Sequence, residues 1–284
     1  MDLYLAGLAS TERMMDFVLD FNSKLPEEKQ IGVMCTFAQK KGVDKVIKKG
    51  FKKIFVDSGA FTVFNSGGIV DIDELASFIK EREEYISYYI SLDVIADKEG
   101  FQSLKNWYYL KEKGLNPIPV FHAGEEQEVM QQYAEHCNYI CLGGMAGVSQ
   151  NWKSWIPFLT KTFQKYPNHQ FHAMGVNDPK LAQRFPWKSC DALSWRSGSR
   201  FGQIITPWGR WWISERNAKS ISPYDAEAIG FPDWMREHGI PYPLPEGYDF
   251  NLLDQKNIEV LHELIVEYHA TKFEYANVFP LSLF

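Results

Sequence analysis

Lys53-Ile54-Phe55-Val56-Asp57-Ser58-Gly59-Ala60-Phe61 is a short apolar run ended by a carboxylate and then by small residues. Such a run, rich in β-branched and aromatic side chains and bounded by Ser and Gly, reads as a buried strand feeding a tight turn. The same unit recurs along the chain. The strand candidates are Leu3–Gly7, Ile31–Thr36, Lys53–Asp57, Tyr88–Asp93, Pro117–His122, Asn138–Gly143, Gln170–Gly175 and Asp191–Trp195. Between them lie stretches of helical period: Thr11–Phe21, Val43–Lys49, Asp73–Arg82, Gly100–Lys113, Glu125–His136, Trp152–Tyr166 and Pro179–Arg184. Ser10 or Thr11 with Glu12 and Arg13, and Asp71 or Asp73 with Glu74, supply N-terminal capping chemistry. Strand and helix alternating through eight units predict an α/β chain closed as a (β/α)8 TIM barrel. A doubly wound open sheet is the rival, and it requires that the first and eighth strands, the weaker candidates, fail to pair.

The length of 284 residues lies within what a barrel fills as one domain, so a single domain over 1–284 is expected. With 45% hydrophobic and 23% charged residues the chain is neither disordered nor fibrous. No apolar run approaches the roughly 20 residues of a membrane helix. Met1-Asp2-Leu3-Tyr4 lacks the basic and apolar regions of a secretory signal, so a cytoplasmic setting is expected. The cysteines Cys35, Cys137, Cys141 and Cys190 are too few and scattered for a disulfide framework, and they lack the paired spacing of structural zinc. A net charge of -6 argues against a general basic coat for nucleic acid while leaving a local patch open.

Aromatic residues at 15%, nine of them Trp, exceed what a core alone demands. Several gather just beyond the eighth strand, in the Arg- and Trp-rich segment Arg196–Asn217, which is expected to form a hairpin. Gly230–Pro245 reads as a Pro-rich surface loop, and Gln255–Phe273 as a closing C-terminal helix. Arg196, Arg200, Trp208, Arg210, Trp211 and Arg216 therefore make 196–250 a candidate docking excursion. Arginines on phosphates with rings stacking on bases are what single-stranded or flipped-out nucleic acid requires. A solvated charged face is the plainer reading of the same residues.

A (β/α)8 barrel builds its active site at the C-terminal strand ends. Along this chain those ends carry Gly7, Thr36, Asp57-Ser58-Gly59, Asp93, His122, Gly143-Gly144, Met174-Gly175, and Asp191 with Ser194. Asp57 is either a turn or cap carboxylate or an acid at the barrel mouth, with Gly59 admitting a ligand to the backbone. Phe61 and Phe64 offer rings to a planar ligand or belong to the core. Three acids converging from separate strands, Asp57, Asp93 and Asp191, must differ in role or in protonation. His122 is a catalytic group, a base contact or a core histidine. His169 and His172 lack the Cys-x-x-Cys and His-x-Glu company of a zinc deaminase. Gly143-Gly144-Met145-Ala146-Gly147 is a loop whose bare N–H groups suit a ligand or phosphate, and Met174 is an apolar cover or filler.

Taken in order, Asp57-Ser58-Gly59-Ala60-Phe61, Asp93, Gly143-Gly144-Met145-Ala146, Met174-Gly175-Val176, Asp191-Ala192-Leu193-Ser194-Trp195 and Arg196-Ser197-Gly198 resemble the tRNA-guanine transglycosylase superfamily. The resemblance is strongest to its deazapurine DNA-modification branch, the DpdA group of phages and bacteria. It implies Asp57 as general acid/base, Asp191 as nucleophile and Asp93 as the purine-recognising acid, with Phe61 and Met174 sandwiching the base. Ser58, Gly59, Gly143, Gly144, Met145 and Gly175 would frame the base, and His122 stands where many members carry glutamine. The cysteine-rich zinc site and RNA-binding domains of the tRNA enzymes have no counterpart in the sequence, where Arg/Trp-rich residues follow instead. The resemblance thus implies exchange of guanine in DNA for a 7-deazaguanine such as preQ0 or preQ1. No metal and no cofactor are implied, and for a phage-encoded chain the setting is the host cytoplasm. The alternatives are the same chemistry on tRNA, a glycoside hydrolase using Asp57 and Asp191, or a barrel that merely binds nucleic acid.

Overall fold

The computed structural model describes residues 1–144, 152–175, 179–213 and 227–274. The chain divides into two compact units, Met1–Ala192 and Leu193–Phe284.

The first unit holds eight parallel strands: β1 (Asp2–Ala6), β2 (Gly32–Thr36), β3 (Ile54–Asp57), β4 (Tyr88–Tyr89), β5 (Val120–His122), β6 (Tyr139–Gly143), β7 (Gln170–Ala173) and β8 (Ser189–Ala192). They are hydrogen-bonded in the order β4-β3-β2-β1-β8-β7-β6-β5. The two outer strands meet through a parallel bridge between Ile90 and Ile118. There Ser91 N–H donates to Ile118 O at 2.9 Å and Ile118 N–H to Tyr89 O at 2.8 Å. With helices in the connections, this is the expected (β/α)8 barrel-like α/β fold. β1 and β8 pair from Asp2 opposite Ser189 to Leu5 opposite Ala192, which removes the open-sheet rival.

The helices form where period and capping agree. Ile72–Lys80 starts at Asp71, whose carboxylate accepts from the N–H groups of Asp73 and Glu74 at 2.9 and 3.0 Å. Lys40–Lys49 buries Val43 and Val46, places Lys48 and Lys49 at its C-terminal end, and stops at left-handed Gly50. Tyr4, Met34, Phe55, Ile90, Ile118, Val120, Tyr139 and Cys141 form one buried cluster inside the barrel. A Cβ on Gly32 would lie 2.4 Å from the Tyr4 ring, so glycine there makes room for that ring. Strand side chains alternate, so two residues beyond an inward-facing position the chain again faces inward, now at the rim. Asp57 follows Phe55, His122 follows Val120, Gly143 follows Cys141, and Asp191 follows Ser189 in this way.

Three local outcomes differ from expectation. β8 begins earlier, at Ser189, and Ser194-Trp195 belong to a 3-10 turn over Ser194–Arg196 beyond it. β4 is short because the chain leaves the ladder after the Ile90 bridge. Ala60–Asn65, which lies outside every helix expected from the sequence, is a short helix entered through Gly59 at φ 79°.

In the second unit, Ser197–Phe201 is helical and Gln203–Thr206 pairs antiparallel with Gly209–Trp212, giving the expected hairpin. Phe231–Glu237 is a helix where a Pro-rich loop was expected, because Pro232 falls in the first turn, where no intrahelical N–H is lost. The expected C-terminal helix starts earlier, at Phe250, with the Asp249 carboxylate capping Asn251 N–H at 3.0 Å. It continues through a π-helical stretch, His262–Glu267, into Tyr268–Glu274. Asn257 pins this unit: its Oδ1 accepts from Ile205 N–H at 2.7 Å and its amide donates to Gln203 O at 3.1 Å. All four cysteines are free. Among the described residues no helix is long and apolar enough to cross a membrane.

Candidate active site

A cavity of about 680 Å³ opens at the C-terminal rim of the barrel. Every strand end reaches it: Ala6, Thr36, Asp57, Asp93, His122, Gly143, Met174 and Asp191 all contribute to its wall. Phe61 and Gly175 line it too, as do Gly144, Lys98 and Glu125. The three acids singled out in the sequence are thus brought together at one mouth, and each has a different setting.

Asp57 accepts a hydrogen bond from Gly59 N–H at 3.0 Å. Burial pushes its carboxyl up, and the charge of Asp93 and, less, of Asp191 adds to this; the Gly59 N–H and Thr36 pull the other way. The net result is a pKa of about 7. Such a carboxyl both holds and releases a proton near neutrality, which is what a general acid/base needs. Asp191 is held differently. Its Oδ1 takes Gly175 N–H at 2.7 Å and lies 3.3 Å from His172 Nε2. Asp93, buried, accepts from Ser58 Oγ at 2.9 Å and has its second oxygen 3.5 Å from His122 Nε2.

His122 bridges two carboxylates. Its Nδ1 lies 2.9 Å from Glu125 Oε1, and its backbone N–H donates to Glu125 Oε2 at 2.9 Å. Burial draws the imidazole down, but the Glu125 hydrogen bond and the Asp93 charge outweigh it and hold the pKa above the ordinary histidine value. A Cβ on Gly143 would sit 2.6 Å from His122 Cδ2, so Gly143 makes room for this ring. Gly144 has φ 79°, a left-handed conformation suited to glycine.

Ser58 and Gly59 act from behind the wall. Ser58 supports Asp93, and a Cβ on Gly59 would lie 2.9 Å from Ala38 and from Thr36 Oγ1, so glycine there allows two βα loops to pack. Phe61 is 64% exposed at the cavity edge, free to cover a flat ligand, whereas Phe64 is exposed without lining the cavity. Met174 lines the wall and packs on the barrel cluster. Met145 and Val176 lie outside the described residues.

The expected docking residues belong to the second unit. Arg200 and Arg210 are exposed, Arg196 lies beside the Trp195 ring at 5.6 Å, and Trp208 at the hairpin turn is 37% exposed. Trp211 instead stacks on Phe231 with centroids 5.5 Å apart, in a cluster with Ile204, Met235 and Leu253. Its ring serves that unit's core. Arg216 lies outside the described residues.

Two residues, Glu125 at the mouth and His172 beneath it, escape a sequence reading. Glu125 looks like a helix-start acid, and the available signal is its place three residues after His122 through Gly124, at φ 106°. His172 looks like a failed zinc ligand, and the signal is register, since β7 sets it opposite Ser189, two residues before Asp191. Together the groups form a rim with one carboxyl poised near neutrality, one carboxylate fixed by an N–H, and a donor–acceptor pair in His122 and Asp93. Comparison with protein-family models and with curated proteins finds no match to this chain.

Proposed function

We propose that this chain is a base-exchange glycosyltransferase that removes guanine from DNA and installs a 7-deazaguanine of the preQ0 or preQ1 type. The observation that carries the reading is the unequal pair at one mouth. Asp57 has its pKa near 7, while Asp191 has one oxygen bound by Gly175 N–H. Two carboxyls in such unequal settings suit unequal roles, the proton-holding one as acid and the hydrogen-bonded one as nucleophile.

In this scheme Asp191 attacks C1′ through an oxocarbenium-like transition state, forming an aspartyl–deoxyribose ester as the C1′–N9 bond breaks. Asp57 gives its proton to the departing guanine. The incoming base then returns a proton to Asp57, its nitrogen bonds C1′, and the Asp191 ester is released. The glycosidic bond energy is kept in the ester, so the exchange needs no other energy source. Asp93 reads the base's N–H edge, and Phe61 and Met174 cover its faces. The target nucleotide must leave the stack, because C1′ is shielded in a duplex. The exposed Arg200 and Arg210 and the ring of Trp208 suit a distorted strand.

Labelled guanine offered with DNA and with tRNA in parallel tests this. Incorporation into DNA, lost together with the covalent adduct in Asp191→Ala, is the expected result. Incorporation into tRNA alone would reassign the polymer. Sugar release with no dependence on a base would move the chain to the glycoside hydrolases, and exchange surviving Asp191→Ala would remove Asp191 from its role.

A further inference from the structure

Beneath Asp191 the barrel interior holds a polar line in an otherwise apolar core. His172 is fully buried, with its ring centroid 4.7 Å from that of Phe55 and 6.4 Å from that of Tyr4. Its Nδ1 meets Ser189 Oγ at 2.5 Å, and Ser189 Oγ meets the Tyr139 hydroxyl at 2.5 Å. Its Nε2 lies 3.3 Å from Asp191 Oδ1. Neither His172, Ser189 nor Tyr139 lines the cavity, so none touches a substrate directly.

The proton directions follow from what each group can do. A carboxylate only accepts, so His172 Nε2 must carry the hydrogen. In the Nε2–H tautomer Nδ1 is an acceptor, the Ser189 hydroxyl donates to it, and Tyr139 donates to Ser189. Burial pushes the Tyr139 hydroxyl far up, so it remains a donor. Every buried polar atom in the line is satisfied in this one direction. Reversing it would aim an unprotonated Nε2 at a carboxylate.

We infer that Tyr139, Ser189 and His172 form a positioning relay that fixes Asp191 Oδ1 and leaves Oδ2 as the attacking oxygen. The register builds it: β7 sets His172 opposite Ser189, and Ser189 shares its strand face with Asp191. Gly175 N–H, the second donor to Oδ1, completes a two-point hold on that oxygen. The catalytic part of this inference rests on Asp191 being the nucleophile of the exchange; the proton direction does not.

The test therefore has two readouts. Nitrogen-15 NMR of the histidine side chains in the full-length protein reports the His172 tautomer without any reaction, and the relay requires Nε2–H with an unprotonated Nδ1. An Nδ1–H tautomer would overturn it. Single-turnover formation of the covalent DNA adduct is then compared in wild type, Tyr139→Phe, Ser189→Ala, His172→Gln and His172→Leu, each verified as folded by its thermal transition. We expect about ten-fold slower adduct formation for Tyr139→Phe and Ser189→Ala, with the apparent affinity for the base unchanged. His172→Leu should lose on the order of 10²-fold, and His172→Gln, whose amide can still donate to Oδ1, should recover much of that. Folded Tyr139→Phe and Ser189→Ala proteins reacting at the wild-type rate would overturn the relay. A wild-type protein that shows the Nε2–H tautomer but forms no adduct would instead overturn the glycosyl-transfer reading and, with it, the relay's catalytic role.

Discussion

The ends of β3 and β8 put the same side chain at the same rim and treat it in opposite ways. Asp57, on β3, is pushed up by burial and by the charges of Asp93 and Asp191, and the Gly59 N–H and Thr36 hydroxyl only partly offset this, so its proton is held to about 7. Asp191, on β8, has one oxygen bound at 2.7 Å by Gly175 N–H and supported from below by His172. At Asp57 burial and the neighbouring Asp93 charge outweigh the local donors. The same side chain at two strand ends thus takes its chemistry from its surroundings: one carboxyl holds a proton near neutrality, and the other has one oxygen held by two donors.

The largest expected effect comes from exchanging that difference for none. Asp191→Asn keeps the volume and removes the oxygen proposed as nucleophile, so covalent adduct and base exchange should fall by on the order of 10⁴-fold or more. Asp57→Asn should leave the proposed nucleophile intact and slow base departure by about 10²–10⁴-fold. A leaving group that needs no proton should rescue Asp57→Asn and leave Asp191→Asn inactive. Equal rescue of both would erase the proposed division of labour.

Stability measures the same contrast without turnover. The Asp57 pKa is about 7 in the folded chain, against about 3.9 for an unperturbed aspartate. Between those values the folded state holds the proton and the unfolded state does not. Its contribution to stability is therefore complete below about pH 4 and is lost as pH rises to about 7. Asp57→Asn removes that loss, so by denaturant unfolding at pH 8 the variant should be more stable than wild type by on the order of a few kcal/mol. The gain should shrink toward pH 4. A gain independent of pH would mean that the carboxyl is not perturbed as described.

The barrel was legible because each apolar run is long enough to be a buried strand and each ends in a polar or glycine residue. Asp57, Asp93, His122 and Asp191 were legible for the same reason, since the fold itself carries strand ends to one mouth. The Ala60–Asn65 helix was not, because Phe61, Val63 and Phe64 are weak helix formers and the turn exists by virtue of Gly59 and its packing on Ala38. Glu125 and His172 act through contacts across turns and between strands, which periodicity along one segment does not display. Trp211 shows the converse: its Arg-rich neighbourhood suggests stacking on bases, whereas its ring packs on Phe231 in the second unit.

The smallest effect should come from His122, where two carboxylates set the state of one ring. Glu125 Oε1 at 2.9 Å and Asp93 Oδ2 at 3.5 Å both favour the imidazolium, and together they overcome its burial. Glu125→Gln keeps a hydrogen-bonding group in place and deletes one charge. The His122 pKa, read by NMR titration, should then fall, since burial and Asp93 alone remain to contest it. Because the folded value is raised, the stability that His122 supplies is complete below its unfolded pKa of about 6.5 and is lost as pH climbs through the folded value. Glu125→Gln should therefore cost more stability at pH 6 than at pH 9. If the charged ring helps hold the base, KM for the base should rise several-fold, up to about ten-fold, with little change in kcat, and the rise should set in at lower pH than in wild type. Gly143→Ala separates position from charge, because a methyl 2.6 Å from the ring must displace it while both carboxylates remain. A KM rise in Gly143→Ala and none in Glu125→Gln would assign His122 to the shape of the pocket and leave the charge contrast to Asp57 and Asp191.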